Sequence, residues 1–313
     1  MAKWKILLTD GLEDNGQAIL RQEAEVVNNP TITADDLLKV VNDYDALIVR
    51  GRTKVTKAVF DAGKNLKVVG RAGVGVDNID LNAAREAGVT VVNSPTATTI
   101  AVAELTLGLM LAASRDIPRG DAGLKNGKWL KKEMEGHELW HKTLGVIGYG
   151  RIGQATALRA KAFDMNIVAF DPMIQPGDIQ NLGATPVTLD ELLEQADVIT
   201  MHIPLTADTK NILNADAFAK MKDGVIIVCA ARGGVIDEAA MLEALNSGKV
   251  ACAALDVFAT EPPGLTELVA HPRVIGVPHI GAQTAEAQIR AAEDISTEVL
   301  SALAGNELRW RVA

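Results

Sequence analysis

The chain has 313 residues, of which 48% are hydrophobic and 23% charged, and its formal net charge at pH 7 is −9. This composition is typical of a folded globular protein long enough for two ordinary domains, and it excludes intrinsic disorder. The negative charge disfavours nucleic acid or an anionic membrane surface as a partner, since either would require a basic face.

The apolar segments exclude further classes of protein. The longest apolar run, residues 101–113, contains Glu104 and is too short to span a bilayer, so it predicts a buried helix. Cys229 and Cys252 lie in strand-like runs without the spacing of metal ligands, which predicts buried, reduced thiols and no metal site. The N-terminal residues show no signal-peptide pattern, and we therefore expect a cytoplasmic protein.

The first hundred residues alternate short apolar runs with amphipathic runs. Such alternation favours parallel strands that are joined by helices. The predicted strands are 4–9, 23–27, 44–50, 66–71 and 89–93, and the predicted helices are about 11–22, 33–42, 56–63 and 80–87.

A long helix is predicted from about Thr99 to Ser114, and a polar, glycine-bearing region follows at 121–139. From Thr143 the alternation restarts with six strands, enough for a doubly wound dinucleotide-binding fold. A final amphipathic helix, 284–305, is expected to return to the first domain and make it discontinuous. The six predicted strands are 143–148, 166–170, 197–202, 225–229, 251–257 and 274–277.

Gly148, Gly150 and Gly153 form the pattern G-x-G-x-x-G between an apolar run and a helical run. The first glycine permits a tight turn, the second lets backbone amides approach a pyrophosphate, and the third lets helix and strand pack closely. Asp171 ends the next strand, 18 residues after the third glycine, where an acid binds the adenosine ribose hydroxyls. Its charge would repel a 2′-phosphate, so the pattern predicts NAD rather than NADP. A plain turn at Asp171–Pro172 is the alternative, and it is compatible with the ribose role.

Arg232, Glu261 and His279 follow the fourth, fifth and sixth predicted strands of this half. Ligands of an open α/β sheet bind beyond the carboxyl ends of its strands, so the three side chains should meet at one edge. A histidine can take the hydroxyl proton of a 2-hydroxy acid, a carboxylate can orient that histidine, and an arginine can bind the substrate carboxylate. Each residue alone would be an ordinary surface group, but together they predict hydride transfer. His202, at the end of the third strand, is expected to line the cofactor pocket.

Several stretches resemble the D-isomer-specific 2-hydroxyacid dehydrogenases in order and spacing over about residues 44–290. They include "LKVVGRAGVGVDNIDL", "KTLGVIGYGRIG", "CAARGGVIDE", "AALDVFATEPP" and "PHIGAQTAEAQ". The resemblance implies an α/β protein of two flavodoxin- or Rossmann-like parallel-sheet domains with the active site in the cleft between them. It also implies a homodimer or a dimer of dimers. The substrate domain would comprise 1–98 and 284–313, and the NAD-binding domain 99–283, including a dimerisation arm at about 99–142.

The resemblance also assigns roles to individual residues. Arg232, Glu261 and His279 correspond to the catalytic residues of the family. Arg50 and Arg52 are candidates for a substrate phosphate, while Lys131 and Lys132 either add charge across the dimer or form a solvated turn. The substrate carboxylate would meet the loop amides of Ala72, Gly73, Val74 and Gly75, which glycines leave open as an anion nest. The glycine motif, Asp171 and His202 are not the only cofactor positions that the resemblance implies. It adds Arg151, Ile152, Ala230, Asp256, Gly281 and Ala282.

Within the family, the chain resembles the branch that oxidises D-3-phosphoglycerate to 3-phosphohydroxypyruvate with NAD in serine synthesis. The first alternative is the same chemistry on glyoxylate, hydroxypyruvate, lactate or another small 2-oxo acid. The second is a corepressor of the same fold that senses redox state through NAD, and the lack of disordered tails weighs against it. Because the chain stops at Ala313, we expect it to lack the regulatory extension of longer relatives.

Overall fold

The computed structural model describes residues 3–313 of the chain. They form two compact units: unit 1 contains the described residues up to Thr98 together with Ala282–Ala313, and unit 2 contains Thr99–Gly281. Each unit is built on one parallel sheet, which confirms the predicted α/β class. Among residues 3–313, no helix combines the length and the apolar character needed to cross a membrane.

Unit 1 has five strands and five helices among its described residues. The strands pair in parallel, with the second strand at one edge and the fifth at the other. Every strand and helix predicted for this half is present, with slightly shorter bounds except for the second strand, which is shifted by one residue. The strands are β1 (Trp4–Leu8), β2 (Ala24–Asn28), β3 (Ala46–Val49), β4 (Val68–Arg71) and β5 (Thr90–Asn93), in the order β2-β1-β3-β4-β5. The helices are α1 (Asp14–Leu20), α2 (Ala34–Val40), α3 (Lys57–Ala62), α4 (Leu81–Ala87) and, after all of unit 2, α13 (Ala285–Ala304).

Helix α13 completes the core of unit 1, although it follows unit 2 in the sequence. Its side chains Ile295 and Val299 are fully buried and pack against β4. Gly70 in β4 permits this close approach, because a Cβ atom there would lie 2.5 Å from Val299 Cγ2. A larger residue at position 70 would therefore push the helix away from the sheet.

Unit 2 carries a seven-stranded parallel sheet with helices between its strands. The strands are β6 (Thr143–Ile147), β7 (Asn166–Phe170), β8 (Thr185–Pro186), β9 (Val198–Met201), β10 (Val225–Cys229), β11 (Val250–Leu255) and β12 (Val274–Gly276), in the order β12-β11-β10-β9-β6-β7-β8. The helices are α5 (Thr99–Arg115), α6 (Ile117–Lys125), α7 (Arg151–Ala160), α8 (Pro176–Asn181), α9 (Leu189–Gln195), α10 (Ala215–Lys220), α11 (Glu238–Ser247) and α12 (Glu267–Ala270).

The sequence predicted six strands in this half, and the structure has seven. The missed strand β8 has only two residues, which pair with Val168 and Ala169 at the edge of the sheet. Two residues show no periodicity, and proline is found in sheets mainly at edges, so the sequence carries no signal for this strand. The central strand β6 lies between β7 and β9, which makes it the point where the winding of the chain reverses.

The apolar run at 101–113 lies within the buried helix α5, as predicted. Both cysteines are free thiols in strands of unit 2, and Cys229 in β10 is buried. Cys252 in β11 is only half-buried, so the prediction of two buried thiols holds for one of them.

In both sheets, an aspartate just before one strand accepts a backbone hydrogen bond from the first strand of the same sheet. Asp45, just before β3, accepts a hydrogen bond from the backbone N–H of Lys5 in β1 at 2.9 Å. Asp197, just before β9, accepts one from the backbone N–H of Thr143 in β6 at 2.8 Å and pairs with Lys222 at 3.0 Å. Each carboxylate therefore ties the first strand of its sheet to a neighbouring strand.

Replacing Asp197 with alanine should lower the free energy of unfolding by about 1–3 kcal/mol, since a backbone donor and an ammonium group both lose their acceptor. Burial alone would raise the pKa of Asp197, but the hydrogen bonds from Thr143 and Lys222 bring it below its ordinary value of 3.8. The stabilisation is thus complete above the unfolded pKa and is lost as the pH falls through the lower folded pKa.

Urea unfolding followed by circular dichroism should show this difference at neutral pH and a narrowing of it below about pH 4. Asp190→Ala is the control, because it removes only an exposed ion pair with Lys220 and should change the free energy of unfolding by less than about 0.5 kcal/mol. Equal effects of the two substitutions would contradict the role given to Asp197.

Candidate active site

Three polar side chains follow neighbouring strands at one edge of the unit 2 sheet. Strands β10, β11 and β12 are adjacent and parallel, and Arg232, Glu261 and His279 come shortly after their carboxyl ends. The structure joins two of these residues directly, because His279 Nδ1 lies 2.7 Å from Glu261 Oε2.

The Glu261 carboxylate is held through both of its oxygens. Oε2 contacts the imidazole, and Oε1 accepts the backbone N–H of Phe258 at 3.2 Å. The imidazole is 50% exposed and the carboxylate 37%, so the pair is open to a ligand. Since Nδ1 of His279 is held by the carboxylate, Nε2 is the ring atom that is free to exchange a proton.

His279 has a backbone conformation that few non-glycine residues adopt, with φ at +52°. Its N–H donates to the carbonyl oxygens of Asp256, at 2.9 Å, and Val277, at 3.0 Å. The buried Asp256 carboxylate accepts the next two amides, Ile280 at 2.6 Å and Gly281 at 2.9 Å. Burial raises the pKa of Asp256, and these two donors act in the opposite direction. Asp256 therefore holds the strained turn that carries His279, and strain of this kind clusters at functional sites.

Arg232 lies in the loop between β10 and α11 and is half-buried. Its Nη1 donates to the carbonyl oxygen of Ala231 at 2.7 Å. Ala230, the first residue after β10, is 9% exposed and lies at the same carboxyl edge. The sheet order thus places Arg232 one strand away from Glu261 and two strands away from His279.

The glycine motif forms the turn between β6 and α7. Gly148 has φ at +89°, and a Cβ atom there would lie 2.6 Å from the carbonyl oxygen of His202. A Cβ at Gly153 would lie 2.2 Å from the carbonyl oxygen of Gly148, so the helix and the turn touch at backbone level. At Gly150, the N-cap of α7, a Cβ would meet nothing within 4 Å. The turn is therefore tight on its protein side and open at the helix N-terminus, as a pyrophosphate requires. Arg151 and Ile152 are the first two residues of this helix.

Asp171 follows β7 and braces two turns. Its Oδ2 accepts the backbone N–H of Tyr149 inside the glycine motif at 2.8 Å, and its Oδ1 accepts that of Met173 at 2.9 Å. Asp171 therefore stabilises a turn, which was the alternative to the ribose role in the sequence analysis. The carboxylate is half-buried beside the glycine motif, which is compatible with a ribose role.

His202 follows β9 on the other side of β6, so it lies next to the point where the winding reverses. Its Nε2 lies 3.1 Å from Thr200 Oγ1, while its buried Nδ1 has no hydrogen-bond partner among residues 3–313. Burial lowers the pKa of His202 to about 3, which keeps the ring neutral. The open helix N-terminus and this unsatisfied ring nitrogen fit a dinucleotide as the missing partner.

In unit 1, the two arginines after β3 differ. The Arg52 guanidinium donates to the carbonyl oxygens of Thr9 and Ile32 and pairs with Asp10 at 3.1 Å. The Arg50 guanidinium has no hydrogen-bond or ion-pair partner within residues 3–313, although its backbone N–H donates to Asp10. Arg50 is therefore available to a ligand, whereas Arg52 already serves the fold of unit 1.

The loop after β4 contains the four amides considered for the substrate carboxylate. Two are already bound: the N–H of Ala72 donates to Val49 at 2.9 Å, and that of Gly73 donates to Ser94 Oγ at 2.7 Å. The amides of Val74 and Gly75 have no acceptor in the described part of the chain. The anion nest is thus reduced from four candidate donors to two.

Lys131 and Lys132 lie in an exposed 3-10 turn, Lys131–Glu133. An exposed turn agrees with both alternatives, the solvated turn and the added charge at a partner subunit, so the role of these lysines stays a prediction.

Two supporting residues were not singled out from the sequence. Thr200 meets the His202 ring, and Tyr149, 1% exposed, donates its hydroxyl to the carbonyl oxygen of Leu182 at 3.2 Å. A threonine in a strand and a tyrosine at a variable position of a glycine motif carry no local signal, so only the contacts show their roles.

Residues 107–281 match the family model of the D-isomer specific 2-hydroxyacid dehydrogenase, NAD binding domain. The chain is 50% identical over 302 residues to a D-3-phosphoglycerate dehydrogenase of Methanocaldococcus jannaschii, covering 96% of this chain and 58% of that protein. It is 46% identical over 307 residues to a hydroxypyruvate reductase of Thermotoga maritima, covering 97% of this chain and 99% of that protein. The chain therefore spans little more than half of the first relative and nearly all of the second.

Solved structures of similar fold cover the whole chain. A glyoxylate reductase from Paecilomyes thermophila superposes with a TM-score of 0.91 at 34% identity, over 100% of this chain and 99% of that one. The TT0316 protein from Thermus thermophilus superposes with a TM-score of 0.90 at 37% identity, over 99% of this chain and 100% of that one.

Proposed function

Because the chain belongs to the family of D-isomer specific 2-hydroxyacid dehydrogenases, we propose that it oxidises D-3-phosphoglycerate to 3-phosphohydroxypyruvate. The family makes it an NAD-dependent oxidoreductase. The observation that carries the proposed chemistry is the contact of 2.7 Å between His279 and Glu261, at the sheet edge that also holds Arg232.

In the proposed reaction, His279 Nε2 takes the proton of the substrate hydroxyl as general base, and Glu261 stabilises the imidazolium that forms. Arg232 binds the substrate carboxylate with paired donors and polarises the oxygen that becomes the carbonyl. In the reverse direction, the imidazolium of His279 returns the proton. NAD, when bound, supplies the hydride acceptor.

Unit 2 supplies the groups that would hold NAD. Gly150, Arg151 and Ile152 at the start of α7 would bind the pyrophosphate, and Asp171 the ribose hydroxyls. His202 would donate or accept a hydrogen bond as a neutral ring, because its Nδ1 is otherwise unsatisfied.

The proposed substrate depends on Arg50. A guanidinium without a protein partner is suited to bind a phosphate through paired, charge-assisted hydrogen bonds. The amides of Val74 and Gly75 would add donors for the carboxylate. Hydroxypyruvate is the second candidate, because the relative of that name matches the chain over nearly its whole length.

A substrate panel followed by NADH absorbance tests the proposal. The value of kcat/KM should be higher for 3-phosphoglycerate than for D-glycerate and D-lactate in oxidation, and higher for 3-phosphohydroxypyruvate than for hydroxypyruvate in reduction. A higher value for hydroxypyruvate would favour the second candidate. If no hydroxy acid supports stereospecific NADH formation, the result would favour the corepressor alternative over an enzyme.

We also propose self-association through the segment 99–142. Four large apolar side chains of this segment are 54% to 79% exposed, and such groups on one segment mark an interaction surface. The four exposed side chains are Ile117, Leu124, Trp129 and Trp140.

A cytoplasmic location is proposed as well, since free thiols persist in a reducing compartment.

A further inference from the structure

Glu238, the first residue of α11, reaches across to the segment that carries Glu261. Its Oε1 accepts the backbone N–H of Ala259 at 2.7 Å. The neighbouring N–H, that of Phe258, donates to Glu261 Oε1 at 3.2 Å. Two consecutive amides just before Glu261 are therefore held by two carboxylates, one from the segment itself and one from α11.

The same two segments touch a second time at backbone level. A Cβ atom at Gly233 would lie 1.8 Å from the carbonyl oxygen of Phe258. Gly233 directly follows Arg232, and the loop runs from there into α11 and Glu238. The segment that carries Glu261 thus meets the stretch of chain that begins at Arg232 at two points, one hydrogen bond and one close approach of backbones.

We propose that Glu238 is a positioning residue for the pair of His279 and Glu261. By fixing the amide of Ala259, its carboxylate holds the segment from which Glu261 Oε2 reaches His279 Nδ1. Because Ala259 is exposed, water can replace a lost acceptor, so the loss should loosen this segment more than it destabilises the fold. The inference rests on the proposed roles of His279 and Glu261.

The charged groups around this arrangement are few in the described part of unit 2. Asp256 and Glu261, which follow β11, face His279. Arg232 and Glu238 line a small cavity beside Cys229. Removing the Glu238 carboxylate therefore changes one of the two acidic groups, Asp256 and Glu238, that lie near the pair. A comparison of alanine with glutamine at position 238 separates the loss of this charge from the loss of the hydrogen-bond acceptor.

The test compares Glu238→Ala and Glu238→Gln with Glu243→Ala, which removes an exposed carboxylate from the same helix. Glu238→Ala should lower kcat about tenfold and leave KM and the Kd for NADH within about twofold, since only the orientation of catalytic groups changes. The acid limb of the kcat/KM profile for oxidation should move to lower pH, because a less well-held Glu261 stabilises the imidazolium less. Glu238→Gln, whose amide oxygen can still accept from Ala259, should restore kcat and the profile.

The control Glu243→Ala should match the wild-type protein in every measurement. A Glu238→Ala variant with unchanged kcat and profile would overturn the inference, and so would a glutamine variant as impaired as the alanine variant. If Glu238→Ala fails to fold, Glu238→Asp keeps the charge but shortens its reach, and it must then show the shifted acid limb. His279→Ala is assayed beside these variants. If it keeps its turnover, the proposed function fails, whereas normal turnover in Glu238→Ala alone overturns only the positioning role.

Discussion

Replacing His279 with alanine should lower kcat at least about a hundredfold, the usual scale for the loss of a general base. The structure explains why no neighbour should substitute for it. Glu261 meets Nδ1 of this ring and also binds the Phe258 amide, so its carboxylate is fixed on the side of the ring away from Nε2, the atom proposed to take the substrate proton. The Asp256 carboxylate is buried under two backbone amides and is likewise unavailable.

Cofactor binding should survive this substitution, because the glycine motif and Asp171 follow β6 and β7, which lie four and five strands away from β12 in the sheet. Stopped-flow kinetics gives kcat, and NADH fluorescence titration gives the Kd. His271→Ala is the matched control, since His271 lies in the same unit and only caps a turn by accepting the N–H of Arg273. Nearly full turnover in His279→Ala would refute the assignment of the base.

Replacing Arg50 with alanine should raise KM for 3-phosphoglycerate about tenfold to a hundredfold, because a hydrogen bond to a charged group contributes about 1.5–3 kcal/mol. The same substitution should change KM for D-glycerate by less than about twofold, since that substrate has no phosphate. The structure supports this difference, because the Arg50 guanidinium has no partner within residues 3–313 whose loss would disturb the fold.

Arg52→Ala is the instructive comparison. Its guanidinium holds Thr9, Ile32 and Asp10, so its loss should lower the thermal midpoint of unfolding and affect both substrates alike. Steady-state kinetics with both substrates, together with thermal unfolding, distinguishes the two arginines. Equal changes in KM for both substrates in Arg50→Ala would remove the basis for phosphate recognition by this residue.

Much of the fold was predictable because its strands are buried and parallel, and such strands appear in sequence as separate apolar runs. The run from 225 to 229 coincides with β10, and the run from 4 to 9 differs from β1 by one residue. The strand β8 and the helix α6 were missed for local reasons. The first is too short for any period, and the second carries Pro118 and two glycines within nine residues.

The candidate site was predictable where it depends on strand order or on the spacing of the glycine motif and Asp171. Arg232, Glu261 and His279 follow successive strands, and the rule for parallel sheets is enough to place them at one edge. Individual side-chain contacts left no such signal. The engagement of Arg52, the pairing of His202 with Thr200 and the reach of Glu238 to Ala259 depend on side-chain positions that only the folded chain defines.

The position of α13 sets the order in which the newly made chain can fold. Domains generally fold as units during synthesis, and the earlier one usually folds first. Here the core of unit 1 needs Ala292, Ile295 and Val299, which leave the ribosome only after all of unit 2. Unit 2 has its own complete core and can fold before α13 has been synthesised, when the apolar face of β4 is not yet covered. The half of the protein that is translated first is therefore the half that must be completed last.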